Sequence, residues 1–386
     1  MEEDPLKTIV RMSNLVGHIS VRLKHERYIA SNRRALVANI VTLLVLQMMF
    51  EYNTYTSWNQ IVTAYGLWMV TLIQLDVYLT FGLNYLMVLN GAVQSKNFVK
   101  LLNRMRRIIQ KSHFAKTRYK RLWRITSAAT LLNVVLNFGI HCAYPWFSNL
   151  ITTKDELIRE ILLSFLVTFG DTFYIFFNAV LTVLQIEFIY IKTYLVDTNA
   201  NQLEQAKLLR RTYNDAVLVM NLVTKCFALP IVYSALLLSF EGTVQLFQFF
   251  LLLRSEHKSR HDLKEMLYYL LWFVPYLVKF FVTINMANST SEKANEAALS
   301  TRHFDDYSMK NTKLAKQINK FLLKNLHQKK KFSAFGFFNI DNSVIYTVFS
   351  SIITYLVILI QFKQLENDLT HGNSGNETIS AAGGST

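Results

Sequence analysis

The chain has 386 residues, 52% of them hydrophobic and 13% aromatic, with 41 Lys and Arg against 26 Asp and Glu for a formal charge of +15. A mean hydropathy of +0.21 is too apolar for one soluble domain and suits an all-α polytopic membrane protein. The two cysteines, Cys142 and Cys226, are expected on opposite membrane sides, which excludes a disulfide framework.

Residues 1–34 form an amino-terminal segment with no continuous apolar core before a small-residue cleavage site, so a removable signal peptide is not expected. It carries Lys7, Arg11, Arg22, Lys24, Arg27, Arg33 and Arg34. Two readings stand open for it. Leu6, Ile9, Val10 and Ile19 allow an amphipathic helix on the inner leaflet, and a solvated basic tail fits as well.

Apolar windows predict seven crossings near 35–57, 61–90, 124–147, 160–195, 226–253, 266–287 and 338–363. These make one transmembrane unit over 35–363, followed by a disordered tail over 364–386. Basic residues crowd the amino end and the connections 94–124, 192–225 and 288–335. The other connections and the tail hold only Lys154, Arg159, Arg254, Lys258, Arg260, Lys264 and Lys363. Positive charge stays in the cytoplasm, so the amino terminus is expected inside and the carboxyl terminus outside. Topology thus accounts for the charge, and nucleic acid is not an expected partner. On this orientation Asn376-Glu377-Thr378 is a glycosylation acceptor, and Lys329-Lys330-Lys331 marks the inner interface.

The inner connections read as helical. Leu203, Ala206, Leu209, Tyr213, Ala216 and Val217 recur at helical spacing after the fourth crossing, as do Leu314, Ile318, Phe321 and Leu322 before the last. Several crossings therefore extend inward as long helices packed together.

No His-Glu-x-x-His helix, phosphate loop or Gly-x-Ser-x-Gly elbow occurs, so the chain is not expected to be an enzyme or to need a cofactor or metal. His141 beside Cys142 reads as a hydrogen-bonded imidazole among helices rather than a metal ligand. Asp76, Asp171, Glu187, Glu241 and Lys279 lie inside crossings, where an unpaired charge costs at least ~2.5 kcal/mol. They pair with one another, line a wet vestibule or bind ligand. A proton-coupled transporter also uses such residues, but the odd span number and lack of repeated halves disfavour it.

Aromatic residues gather in the outer halves of the crossings. Trp68, His141, Tyr144, Phe169, Tyr174, Tyr268, Tyr269, Trp272 and Tyr276 are the candidate lining of a small-molecule pocket, against the alternative of an interfacial aromatic belt. Because so many of them are aromatic, an apolar or bitter ligand is expected rather than a sugar.

The last apolar stretch, Asn339 to Phe362, is striped. Ser343, Thr347, Ser350, Thr354 and Gln361 fall within roughly 40° of one line, interrupted by Val357 and Ile358. Ile345, Val348, Ile352, Leu356 and Leu359 occupy the opposite face. Such a stripe either packs against another helix or lines a pore in which hydroxyls and an amide replace water around an ion.

The ending Thr354-Tyr355, five apolar residues, then Gln361-Phe362 resembles the closing signature of insect gustatory receptors, and Gly336-Phe337-Phe338-Asn339 resembles their lead-in to the last helix. The resemblance implies a tetrameric, ligand-gated, non-selective cation channel of the insect chemoreceptor fold. Its last helices surround the pore, with Gln361 and Phe362 at the outer gate. It also implies a small-molecule tastant, passage of monovalent and divalent cations, membrane lipid as surroundings, and other receptor subunits as possible partners. Residence in the plasma membrane of gustatory neurons follows from the same likeness. A transporter or a G-protein-coupled receptor is the alternative, and the latter has its amino end outside.

Overall fold

A computed structural model describes residues 7–24, 27–30, 33–56, 58–65, 67–111, 116–147, 154–193, 202–254, 260–299 and 329–382. Helix α1 (Lys7–Leu15) leads into a hairpin of β1 (Val21–Lys24) and β2 (Arg27–Ala30). Then come α2 (Arg33–Thr56), the short α3 (Trp58–Tyr65), α4 (Leu67–Val93) and α5 (Ser95–Lys111). The long helices α6 (Lys116–Phe147), α7 (Lys154–Thr193), α8 (Gln202–Arg254) and α9 (Arg260–Leu299) follow. A two-residue hairpin, β3 (Ser333–Ala334) with β4 (Phe338–Asn339), precedes α10 (Ser343–Ala382).

Seven helices among the described residues, α2, α4 and α6 to α10, are long and apolar enough to cross a membrane, one for each expected crossing. The second begins at Leu67 rather than 61, because residues 58–65 fold separately as α3. The helical spacing expected after the fourth crossing is present: α8 is one helix from Gln202, with Tyr213 and Ala216 buried. The parallel expectation for Leu314, Ile318, Phe321 and Leu322 falls outside the described residues.

At the centre lies α7. Of the residues in its most apolar stretch, 72% are buried by the rest of the chain, the largest share among the seven. Phe227 of α8 sits among four rings, 4.9 Å from Phe177, 5.4 Å from Phe176 and 5.5 Å from both Phe173 and Phe98. The amphipathic α5 reaches this core with Phe98, Leu101, Leu102 and Met105, while Arg104 and Arg106 are half-buried and Arg107 is exposed.

Pro230 lies inside α8 and brings no N–H, which strands the carbonyl of Cys226 one turn earlier. Asn90 of α4 donates to that carbonyl at 2.8 Å, so the gap in one helix becomes a bond between two. Cys226 is buried and free, and so is the thiol of exposed Cys142.

The amino-terminal segment holds the helix α1 and is packed against the bundle rather than being a solvated tail. Val10, His18, Ile19, Val21 and Tyr28 are all buried at 3% exposure or less. Asn103 of α5 bonds both the N–H (2.9 Å) and the C=O (2.8 Å) of Tyr28, standing in for a third strand beside β2. His18 Nδ1 meets Thr172 Oγ1 of α7 at 3.1 Å, and burial pushes its imidazole down to about 3. A Cβ at Gly91 of α4 would lie 2.4 Å from the His18 carbonyl oxygen, so only glycine admits the segment.

The lead-in Gly336-Phe337-Phe338-Asn339 is not helical. Phe335 and Gly336 take φ of 52° and 82° and turn the chain between β3 and β4, with Phe332, Ala334 and Ile340 buried. Asn295 of α9 ties this hairpin down by bonding the N–H (2.8 Å) and C=O (3.1 Å) of Lys330. Asp341 then caps α10 by accepting from Ser343 N at 3.1 Å. Partial burial raises the Asp341 carboxyl, but hydrogen bonds from Ser343 and the Lys331 ammonium, 3.2 Å away, outweigh it and hold the group below the usual carboxylate range. The last crossing thus begins at Ser343, not 338. It also continues as helix to Ala382, where a disordered tail is expected from 364; no proline interrupts its backbone ladder.

Candidate functional site

At the end of the bundle where α2 stops and α4 begins, five helices leave a cavity of about 130 Å³. Phe50 and Thr54 of α2, Gln74, Asp76 and Thr80 of α4, Arg159 and Glu160 of α7, Gln245 and Gln248 of α8, and Tyr268, Tyr269 and Trp272 of α9 are among its walls.

Trp272 is the hinge of this site. Its Nε1 donates to Glu241 Oε1 at 2.7 Å, its ring stands edge-on to His141 at 4.3 Å, and Tyr268 lies 6.3 Å away on the other side. It also lines a second, smaller void of about 10 Å³ with Asn137, Ile140, His141, Tyr276 and Lys279. That void is too small for a ligand and marks where the pocket closes onto the core.

Below it the intramembrane charges are mostly paired. Lys279 of α9 donates to Asp171 of α7, which also accepts from Asn137 of α6 at 2.8 Å. Glu160 receives His141 Nδ1 at 2.9 Å and lies 3.6 Å from Arg159. His141 is therefore the hydrogen-bonded core imidazole that its sequence context indicates, and no group of three or more potential metal ligands occurs among the described residues. Gln185 of α7 donates to Thr290 at 3.0 Å and accepts from Lys293 at 2.7 Å. Pairing is the answer for Asp171 and Lys279, while Asp76 and Glu241 have no cationic bond partner among the described residues.

Of the residues expected to line a pocket, Tyr268, Tyr269 and Trp272 do so, and His141 and Tyr276 join Trp272 at the smaller void. Trp68 is 58% exposed on the helix exterior, and Tyr174 is buried in the core between helices. Phe169 packs against the apolar cluster that holds Leu43 and Phe81. These three are corrections to the expected lining, because aromatic type and depth do not reveal which face of a helix looks inward. The side chain of Tyr144 lies outside the described residues, as does that of Asn376. The polar lining, Gln74, Gln245, Gln248 and Arg159 with Glu160, escaped the sequence reading. Two glutamines three apart in an otherwise apolar crossing are the signal that locates it.

The second candidate surface is α10. Val344, Val348 and Ile352 are buried on α8, and Ile352 Cδ1 would lie 2.8 Å from a Cβ at Gly242. The polar side turns the other way: Ser343, Thr347, Ser350, Thr354 and Gln361 are all exposed. Val357, Ile358, Tyr355 and Phe362 are exposed with them, at 47%, 38%, 58% and 62%. Thr347 and Thr354 satisfy their hydroxyls on the carbonyls of Ser343 (3.1 Å) and Ser350 (2.8 Å), one turn back.

Comparisons with known proteins agree with this architecture. The sequence profile described as the 7tm chemosensory receptor family matches residues 6–366. Gustatory and pheromone receptor 39a of Drosophila melanogaster is 28% identical in isoform B over 282 residues, 71% of this chain and 72% of that one. Isoform A is 38% identical over 152 residues, and the match spans only 38% of either chain. Gustatory receptor 68a of the same fly is 60% identical over 50 residues, 13% of each chain. Among solved structures, the insect olfactory receptor OR5 from Machilis hrabei in complex with eugenol superposes with a TM-score of 0.62, covering 92% of this chain and 97% of its own at 12% identity. The two share a fold.

Proposed function

Because the chain belongs to the 7tm chemosensory receptor family, we propose that it is a gustatory receptor that acts as a ligand-gated, non-selective cation channel. Four copies place α10 around a central axis, and a small molecule entering the pocket around Trp272 opens the path. The observation that carries this reading is the two-faced α10. Its apolar side is seated on α8, whereas its hydroxyl and amide stripe is offered to something outside its own chain. Exposed hydroxyls in acyl chains are unfavourable, and around an axis they line water instead.

In this arrangement Thr347, Ser350 and Thr354 line the path, Val357 and Ile358 narrow it, and Gln361 and Phe362 form the gate at the external mouth. The amino end lies in the cytoplasm, the pocket opens outward, and the chain resides in the plasma membrane of gustatory neurons, alone or with other receptor subunits. Ligand gates only if it prefers the open arrangement. Relatives named for pheromones as well as taste fit a pocket whose walls combine aromatic rings with polar groups.

Whole-cell recording tests the proposal. Gln361→Ala and Phe362→Ala are expected to change open probability or ion selectivity at normal surface expression. Unchanged currents in both variants, or an amino-terminal tag reached by antibody on intact cells, would count against the channel. A mobility shift on enzymatic deglycosylation that disappears in Asn376→Gln supports the external carboxyl end.

A further inference from the structure

The pocket around Trp272 presents hydrogen-bond acceptors that no described residue satisfies. Asp76 Oδ1, Gln245 Oε1 and Gln248 Oε1 are buried without a partner among the described residues, and all three side chains line the cavity. Glu241 Oε2, behind Trp272, is in the same condition. Gln248 is only 5% exposed, and its amide nitrogen is turned to Met69 Sδ at 3.6 Å. An amide can exchange its nitrogen and oxygen, but an ionised carboxylate has no donor to turn inward, so Asp76 and Glu241 set the sign of the site.

The neighbouring cations are already committed. Lys279 acts on Glu241 from a distance but bonds to Asp171, and Arg159 lies by Glu160, which also takes His141. Asp76 and Glu241 thus lie within each other's field with no cation bonded to either among the described residues, and a cationic guest is what would let them hold their charge. Buried charge without a counter-ion is costly, and a cationic guest removes that cost. The faces of Tyr268, Tyr269 and Trp272 complete a setting that attracts an organic cation. At about 130 Å³ the cavity is close to the ~150 Å³ that admits benzene, which sizes it for about a single ring.

We propose that this pocket takes a small protonated amine with a single-ring apolar body, its ammonium held by Asp76 between the side-chain carbonyls of Gln245 and Gln248. The inference rests on reading the cavity as the receptor's ligand site, and it narrows the class from apolar tastants to aromatic cations.

Binding of phenethylamine and of its neutral analogue 2-phenylethanol to the purified full-length protein tests it, read by calorimetry with no current involved. The amine is expected to bind at least about 10-fold tighter than the alcohol. Asp76→Asn should erase that advantage, bringing the two compounds to similar affinity. Gln248→Glu, which adds a second carboxylate, should tighten amine binding several-fold, a gain that misfolding cannot imitate. Equal binding of the two compounds, binding of neither, or an amine preference untouched by Asp76→Asn overturns the proposal. Amine binding with no current in cells leaves it standing and sinks the channel reading instead, whereas currents evoked equally by both compounds do the reverse.

Discussion

Helices α7 and α10 both carry hydroxyls and amides through the width of a membrane, yet they dispose of them in opposite ways. In α7 the amides and the carboxylate turn to other parts of the same chain: Asp171 to Lys279 and Asn137, Gln185 to Thr290 and Lys293, Asn178 to Thr283 at 3.1 Å, and Thr172 joins His18, while Thr182 and Thr193 bond back to their own helix. In α10 the hydroxyls bond back to their own helix and Gln361 stands exposed. Low burial alone does not separate the two roles. The most apolar stretch of α2 is 11% buried and that of α10 17%, but the bare side of α2 is mostly apolar, with Val41, Leu44, Val45, Met48 and Met49 beside Thr42 and, near its end, Glu51, whereas α10 bares a run of polar groups. Exposure becomes informative about assembly only when the exposed groups dislike lipid.

The contrast can be broken by substitution, and the largest effect belongs to α7. Lys279→Met leaves Asp171, whose side chain is 2% exposed, without its cation, and should cost about 3–5 kcal/mol. Adding Asp171→Asn should restore much of the melting temperature measured in detergent. Phe177→Ala follows at about 3 kcal/mol, because it opens a void beside Phe227. Tyr355→Ala on the bare side of α10 should leave the melting of the isolated subunit within about 0.5 kcal/mol of the parent. Equal losses in these two variants would erase the distinction.

Acid probes the seam between α7 and the amino-terminal segment. The His18 imidazole, held at about 3 against its ordinary 6.5, stays neutral when folded. Its stabilisation is complete above 6.5 and is lost as pH falls from there toward 3, since only the unfolded chain takes up the proton. At pH 5 that amounts to about 2 kcal/mol. The protection factors of residues 7–24, taken relative to intrinsic exchange at each pH, should fall between pH 7.5 and 5, and His18→Gln should flatten the change. Thr354→Val carries the smallest expected effect on the isolated subunit, under about 0.5 kcal/mol, but should alter conductance in cells.

Much of the architecture was legible from patterning, and the failures have physical causes. Seven apolar windows and the long inner stretch of α8 follow from hydropathy and helical spacing, which are local properties. The hairpin at Val21–Ala30 was not legible, because two four-residue strands show little alternation and their missing partner is the side chain of Asn103, far along the chain. The turn that sets α10 at Ser343 hid inside an apolar run. In the pocket, Tyr268, Tyr269 and Trp272 were found because a cluster on one short stretch of α9 must present something inward. Trp68, Phe169 and Tyr174 were misassigned because neighbours several helices away decide what each one meets.

The glycine at 91 has a bearing on how the protein is made. Residues 7–30 leave the ribosome ahead of the seat that receives them, which is built from α4, α5 and α7, so His18 cannot reach Thr172 until synthesis has passed the fourth crossing. A segment translated ahead of the bundle therefore docks only after much of it is made, and a bulkier residue at 91 would leave it hanging from an otherwise inserted bundle.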